Sequence, residues 1–212
     1  MMGQGIAIPY SLLATLATLT DVLNSKLLLR AYHEGIFPMA INSRGDIAWF
    51  SPDPRALIPL DERFHISRNL RRTLKQNRFE VAFDTSFESV IRACSKSHGK
   101  TWISKEIIQS YCHLHREGYA HSVETRLKGK LMGGLYGVHI GGAFFGESMF
   151  HRATDASKVA LVALVERMRE RGFVLLDTQW MTPHLAQFGT YLVSREEYLR
   201  LLEHAVKRDC RF

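Results

Sequence analysis

Apolar residues in this chain recur at two spacings, and the switches between them mark the elements. Leu23, Leu27, Leu28 and Ala31 fall at helical intervals within Asp21 to Tyr32, a helix that Gly35 and Pro38 stop. Ile66, Leu70 and Leu74 lie four apart, which predicts a helix from Ser67 with that stripe inward and Arg68, Arg71, Arg72 and Lys75 on its other faces. Phe79 to Phe83 alternates as a strand does, and Thr85-Ser86-Phe87-Glu88 then has the S/T-x-x-E form of a capping box. The helix it opens buries Phe87, Val90, Ile91 and Cys94, and a further helix starts near Ser104 and runs through Ile107, Ile108, Tyr111, Cys112 and Leu114 until Gly118.

Three strands follow, His121 to Leu127, Leu131 to Val138 and Ala143 to Phe150, with turns at Lys128-Gly129-Lys130 and His139 to Gly142. Thr154 to Arg171 is apolar around most of its circumference, so it predicts a helix packed deeply on the sheet. Phe173 to Asp177 reads as a buried strand, and Ser194 caps a last helix. Gly35 to Pro59 differs: it holds four of the six prolines, with a tight loop at Asn42 to Asp46 before Ile47-Ala48-Trp49-Phe50. We therefore expect a small N-terminal domain over 1–60 and a larger domain over 61–212. Helices, an antiparallel meander, a central helix, a strand and a final helix make an α+β layered fold and exclude a doubly wound one.

A chain of 212 residues with 46% apolar content can build a substantial core without disulfides. Its three cysteines, Cys94, Cys112 and Cys210, are odd in number and lack C-x-x-C spacing, which points to a reducing, cytoplasmic setting. Ten histidines include no H-E-x-x-H or other compact ligand set, so no metal is expected. Ser11 to Leu19 has the apolarity of a signal core, yet no Lys or Arg precedes it and Asp21 ends it, and no stretch is long enough for a membrane span. A net charge of +7 favours a polyanionic partner. The charge is densest from Arg68 to Arg78, where no Asp or Glu offsets five cations, so a phosphate partner would relieve their repulsion.

Candidate chemistry centres on Glu147, a lone carboxylate in the run Gly141 to Phe150. Burying it costs several kcal/mol, on the order of a lost ionic hydration, unless it is paired, hydrogen-bonded or protonated, so it is a structural hub or a functional group. Asp177-Thr178-Gln179 ends a buried strand, and Asp177 and Gln179 share a side if the strand continues. Three polar groups converge if the two strands are neighbours. No G-x-S-x-G elbow, Walker loop or dinucleotide fingerprint is present, and the glycines at 133, 134, 137, 141, 142 and 146 suit bulges or close backbone approach. Trp49-Phe50 and Trp102 sit in turn-rich positions that serve either as core or as base-stacking platforms. These features alone leave Glu147, Asp177 and Gln179 open as structural or as working groups.

Six motifs in order, G-I-F-P at 35–38, W-F-S-P-D-P-R at 49–55, H-I-S-R at 65–68, T-W-I at 101–103, G-E-S-M-F at 146–150 and D-T-Q at 177–179, closely resemble the leucyl/phenylalanyl-tRNA–protein transferase family over residues 26 to 202. The resemblance implies an acetyltransferase-like (GNAT) catalytic domain with a small N-terminal domain added. It implies transfer of leucine or phenylalanine, and sometimes methionine, from aminoacyl-tRNA to the α-amine of a protein beginning with Arg or Lys, which creates an N-degron, in a cytoplasmic monomer without cofactor. By motif, Asp177 and Gln179 would hold and deprotonate or orient the amine, and Glu147 would help bind the cationic N-terminal residue. Trp49, Phe50, Trp102 and Tyr111 would surround the terminal adenosine, Leu135, Met149 and Leu176 would line the aminoacyl side-chain pocket, and Arg68, Arg72 and Lys75 would face the acceptor stem. Met39, where many relatives carry an aromatic, and Leu135, where Met is frequent, depart from the family pattern.

Overall fold

A computed structural model describes residues 6–8, 23–97 and 101–212. The apolar run Ser11 to Leu19 and the start of the first expected helix lie outside them. The elements in chain order are β1 (Ile6–Ile8), α1 (Ser25–His33), β2 (Phe37–Ala40), β3 (Ile47–Ser51), β4 (Arg55–Ile58), α2 (Arg68–Lys75), β5 (Glu80–Phe83), α3 (Phe87–Ser97), α4 (Lys105–Arg116), β6 (Ala120–Leu127), β7 (Lys130–Ile140), β8 (Ala143–His151), α5 (Ala156–Glu170), β9 (Leu175–Gln179), α6 (Pro183–Ala186), β10 (Tyr191–Val193) and α7 (Arg195–Val206).

Seven strands form one mixed sheet in the order β10-β4-β9-β8-β7-β6-β5, and β1-β3-β2 form a smaller one. The predicted meander is the antiparallel run β6-β7-β8, turned between β6 and β7 by Lys128 and Gly129, both at positive φ, the geometry that a tight two-residue hairpin needs. Strand β9 returns beside β8 in parallel after the α5 crossover. This pairing covers Ala143 to Phe145 against Leu175 to Asp177 and then stops, although β8 continues to His151 and β9 to Gln179. The sheet is therefore open between the two strands at their carboxyl ends. An antiparallel run joined to one parallel pair, with helices on both faces, is the expected α+β layered architecture.

The sheet separates two cores. Residues of α1, α3, α4 and α7 pack on one face with Phe37 and Trp49 of the small sheet, and α5 packs on the other with Leu70, Phe64 and Phe188. The stripe predicted for the first helix, Leu23, Leu27, Leu28 and Ala31, is buried there, as are Phe87, Val90, Ile91 and Cys94 of α3. Strand β4, inside the stretch expected to form the small N-terminal unit, pairs with β9 and β10 in the large sheet. Close approach explains at least one of the predicted glycines: a Cβ on Gly137 would lie 2.3 Å from the Phe145 carbonyl oxygen.

One local expectation is overturned. Glu88 does not close a capping box; its carboxylate pairs with Arg92 at 2.6 Å. The start of α3 is instead held by Glu124 of β6, whose buried carboxylate accepts from the backbone N–H groups of Thr85 and Ser86 and the hydroxyls of Thr85 and Ser122. A partner from a neighbouring strand satisfies these orphan amides better than the local glutamate because it arrives already desolvated and fixed.

Candidate active site

The site lies where β8 and β9 part. Each strand carries a register shift at that level: on β7 and β8, Tyr136 pairs with Ser148 and Gly137 with Gly146, which leaves Glu147 unpaired, and on β4 and β9, Ala56 pairs with Gln179 and Leu57 with Asp177, which leaves out Thr178. A bulge re-aims the side chains around it, and these two bulges turn Glu147 and Gln179 toward each other. Gln179 Nε2 donates to Glu147 Oε1 at 2.9 Å across the gap.

Gln179 reaches this position by taking φ of 64°, a left-handed conformation that costs a side-chain-bearing residue on the order of 1–3 kcal/mol. Its backbone N–H donates to Asp177 Oδ1 at 2.8 Å, which fixes that conformation. Asp177 thus holds the backbone of Gln179, while their side chains serve different partners, Arg55 and Tyr198 for the one and Glu147 for the other.

Asp177 is 0% exposed and Arg55 1%. Arg55 donates from Nε to Asp177 Oδ1 at 2.9 Å and from Nη2 to Oδ2 at 2.7 Å, and Tyr198 donates its hydroxyl to Oδ2 at 2.7 Å. With the Gln179 amide, four donors occupy this carboxylate. The remaining arm of Arg55 donates to the Gly35 carbonyl at 3.0 Å, and its guanidinium stacks 4.4 Å from the Tyr198 ring centroid and 5.0 Å from that of Phe37. Burial works against the charge on Arg55, but Asp177 outweighs it and keeps the guanidinium protonated. Breaking such a pair by removing one member leaves a buried charge uncompensated.

Glu147 is 7% exposed and has no cation of its own. Its Oε1 accepts from the Tyr32 hydroxyl at 2.8 Å and from Gln179, while Oε2 is buried without a hydrogen-bond partner. Tyr32, having donated to Glu147, accepts from Tyr111. Burial pushes the Glu147 carboxyl up to about 8; the Tyr32 hydroxyl, Arg55 and Gln179 oppose this, and the nearby Asp177 charge adds to it. Burial and the neighbouring Glu147 likewise hold Tyr32 well above the ordinary tyrosine range, so it is a standing donor.

The remaining candidates divide by sheet face. Leu176 alternates with Asp177 and so faces the α5 layer, where Leu135 also packs, and Leu135 lies directly across the strand pair from Met149. The four aromatics are on the opposite face: Trp49, 1% exposed with its indole N–H unpartnered, and Tyr111 are core residues, whereas Phe50 and Trp102 are half-buried. Phe50 also packs with Phe37 and Trp180, whose rings form an aromatic wall beside the end of β9. On α2, Arg68, Arg71, Arg72 and Lys75 are exposed, and no ion pair among the described residues involves them. No cluster of His, Cys, Asp and Glu among the described residues suits a metal ion.

Sequence reading missed Arg55, Tyr32 and Tyr198. Arg55 had a usable signal, a charge leading straight into the apolar strand Ala56-Leu57-Ile58, which is the same anomaly that singled out Glu147. The tyrosines had none, because their rings fit helical apolar stripes and their hydroxyls gain meaning only from partners distant in sequence.

A charge-balanced pair that braces one strand, beside a lone buried carboxylate with an unpartnered oxygen, makes an arrangement whose missing partner is a single cation or a proton. Comparison with known proteins places this chain in a family. Residues 57–203 match the family model described as leucyl/phenylalanyl-tRNA protein transferase, and residues 21–53 match the model of its N-terminal domain. The chain is 54% identical over 194 residues to the leucyl/phenylalanyl-tRNA–protein transferase of Herpetosiphon aurantiacus, covering 92% of this chain and 100% of that protein. It is 52% identical to that of Akkermansia muciniphila, covering 90% and 100%. In fold it is similar to the crystal structure of FemX, with a TM-score of 0.51 at 11% identity over 84% of this chain and 71% of that one. The chain belongs to the leucyl/phenylalanyl-tRNA protein transferase family, a family of aminoacyltransferases.

Proposed function

We propose that the protein moves leucine or phenylalanine, and sometimes methionine, from the 3′ end of its tRNA to the α-amine of a protein that begins with Arg or Lys, and that the product carries an N-degron. The observation that carries the acceptor half is Glu147 Oε2, a buried carboxylate oxygen with no partner, next to an ion pair that is already balanced. A cationic N-terminal residue supplies the missing counter-charge.

In this reading the α-amine attacks the carbonyl carbon of the aminoacyl ester, a carbon–nitrogen bond forms, the bond to the ribose oxygen breaks, and the amine's proton ends on that oxygen. The ester is already activated, so placing the amine against it supplies much of the rate. Gln179 is the residue that orients the amine: its amide nitrogen is committed to Glu147 and its side-chain carbonyl is left to accept an amine N–H. Asp177 orients Gln179; with four donors on its two oxygens, it is a positioning group.

Leu135, Met149 and Leu176 make the apolar side-chain pocket on the α5 side of the open strands, where a Leu, Phe or Met side chain is favoured over a charged one. Phe50 and Trp102 contact the terminal adenosine, backed by Trp49 and Tyr111. Arg68, Arg72 and Lys75 contact the acceptor-stem phosphates, consistent with exposed cations on α2 that are unpaired among the described residues. The protein acts as a cytoplasmic monomer without a cofactor; its described cysteines are all unbridged and none of its described helices is long and apolar enough to cross a membrane. The test is transfer of labelled leucine from Leu-tRNA to peptides that begin with Arg, Lys, Asp or Glu. Transfer to the Arg and Lys peptides is expected, and transfer to the acidic ones instead would overturn the acceptor assignment.

A further inference from the structure

The groups that face Glu147 come from every element packed around it. They are Tyr32 of α1, Tyr111 of α4, Tyr136 of β7, Arg55 of β4, Asp177 and Gln179 of β9 and, beyond Asp177, Tyr198 of α7. Ser148, its neighbour on β8, turns to Cys94 of α3. Burial holds all four tyrosines above their ordinary range, so each stays neutral, and it pushes the Cys94 thiol up to about 12. The two charges, Arg55 and Asp177, are bound to each other at 2.7 Å and cancel. An ionised Glu147 would therefore stand as one negative charge in excess, with Oε2 buried and nothing donating to it.

Such a charge is relieved in one of two ways, by a proton or by a cation. We propose that Glu147 is the neutral acid in the empty site, its proton on Oε2, and that it gives up this proton when a cationic N-terminal residue enters, so that acceptor binding displaces one proton into solvent. The proposal rests on the acceptor reading given above. Tyr32 and Gln179 keep Oε1 as the accepting oxygen in both states, which leaves Oε2 as the position where proton and cation exchange.

The exchange has a consequence for the attacking group. An acceptor with N-terminal Arg brings two cations, the guanidinium and the α-ammonium, into a site whose spare negative charge is one. The guanidinium is always charged, so the α-nitrogen is the group that must enter neutral, which is its nucleophilic form. Selection of a basic first residue and delivery of an uncharged amine then have the same electrostatic origin.

Calorimetry of peptide binding to the full chain, repeated at pH 6.5 in buffers of different ionisation enthalpy, counts the protons released. A peptide beginning with Arg is compared with one beginning with citrulline, its uncharged isostere. The citrulline peptide brings one cation and releases one proton in all, from its α-ammonium or from Glu147, whereas the Arg peptide displaces both, so their difference counts the second proton. The expected difference is about one proton at pH 6.5, falling to about half near pH 8. It is abolished in Glu147→Gln, which removes the proton while keeping the shape. Tyr32→Phe removes a hydrogen bond to the carboxylate and moves the midpoint of the difference upward by about one pH unit. Equal release by the two peptides, or a difference that persists in Glu147→Gln, overturns the proposal while leaving the acceptor class intact. Failure of the Arg peptide both to bind and to accept leucine overturns that class and the proposal with it.

Discussion

Glu147 should be a liability to the fold, and its size can be worked out. Replacing it with Gln keeps an oxygen for Tyr32 and Gln179 to donate to, and puts an amide nitrogen where Oε2 stands. That nitrogen, buried without an acceptor, costs about 1–3 kcal/mol at every pH. The acid it replaces behaves differently, because it ionises near 4.5 in the unfolded chain and near 8 in the folded one. A carboxyl raised in this way favours the fold fully below pH 4.5, and that contribution is lost as pH rises from 4.5 through 8. Through proton linkage the loss reaches about 3 kcal/mol at pH 7 and levels off at about 5 kcal/mol above pH 8. Urea unfolding of both proteins at pH 5, 7 and 8 separates the two terms: the amide penalty is constant, so the wild type should lose about 3 kcal/mol relative to Glu147→Gln across this range. Parallel profiles would show that Glu147 is ionised in the folded protein, and would refute the charge balance on which its role is built.

Three further outcomes follow from other parts of the molecule. Arg55→Met should destabilise the protein by about 3–5 kcal/mol in urea unfolding, because Asp177 is left as an unpaired buried charge, and Arg55→Met with Asp177→Leu should recover much of that loss while remaining inactive in transfer. Arg72→Ala should leave unfolding unchanged, since the side chain is exposed, but weaken tRNA binding and lower the slope of log affinity against log salt by about one, read by filter binding from low to moderate salt. His139, 3.0 Å from His121, is held down to about 4 by burial and by that neighbour; its contribution to stability is present above pH 6.5 and lost as pH falls toward 4, so His139→Asn should flatten the acid limb of the stability profile.

Most of the fold was legible because periodicity is a local property. The stripe of α1, the α3 and α4 faces and the β6-β7-β8 meander each follow from spacing and turn residues within one segment. What was not legible depends on partners brought together by the sheet. The pairing of β4 with β9 joins residues about 120 apart, and nothing local in Arg55-Ala56-Leu57-Ile58 distinguishes a strand of the large sheet from one of the small unit. The same applies to the site. Glu147 could be singled out as an acid among apolar residues, but the ion pair that leaves it unbalanced required Arg55 to meet Asp177. The two bulges required register, which a period of two does not reveal, and the left-handed turn of Gln179 required the Asp177 oxygen that stabilises it.

Glu124 carries a different kind of consequence, one of timing. The amides of Thr85 and Ser86, which lead into α3, are satisfied by a carboxylate that lies about 40 residues further along the chain. During synthesis from the N-terminus, Phe87 to Ser97 is made before Glu124 exists, so α3 has to wait for β6 before the turn that leads into it is fixed. Helix and strand should therefore become stable together, as one cooperative unit, and a fragment that ends ahead of residue 124 should hold its α3 segment as a frayed helix whatever its intrinsic propensity. Since α3 in turn packs Cys94 beside Ser148, the strand that bears Glu147 inherits this order of assembly: its surroundings are completed late, by long-range docking, and arrive as a set.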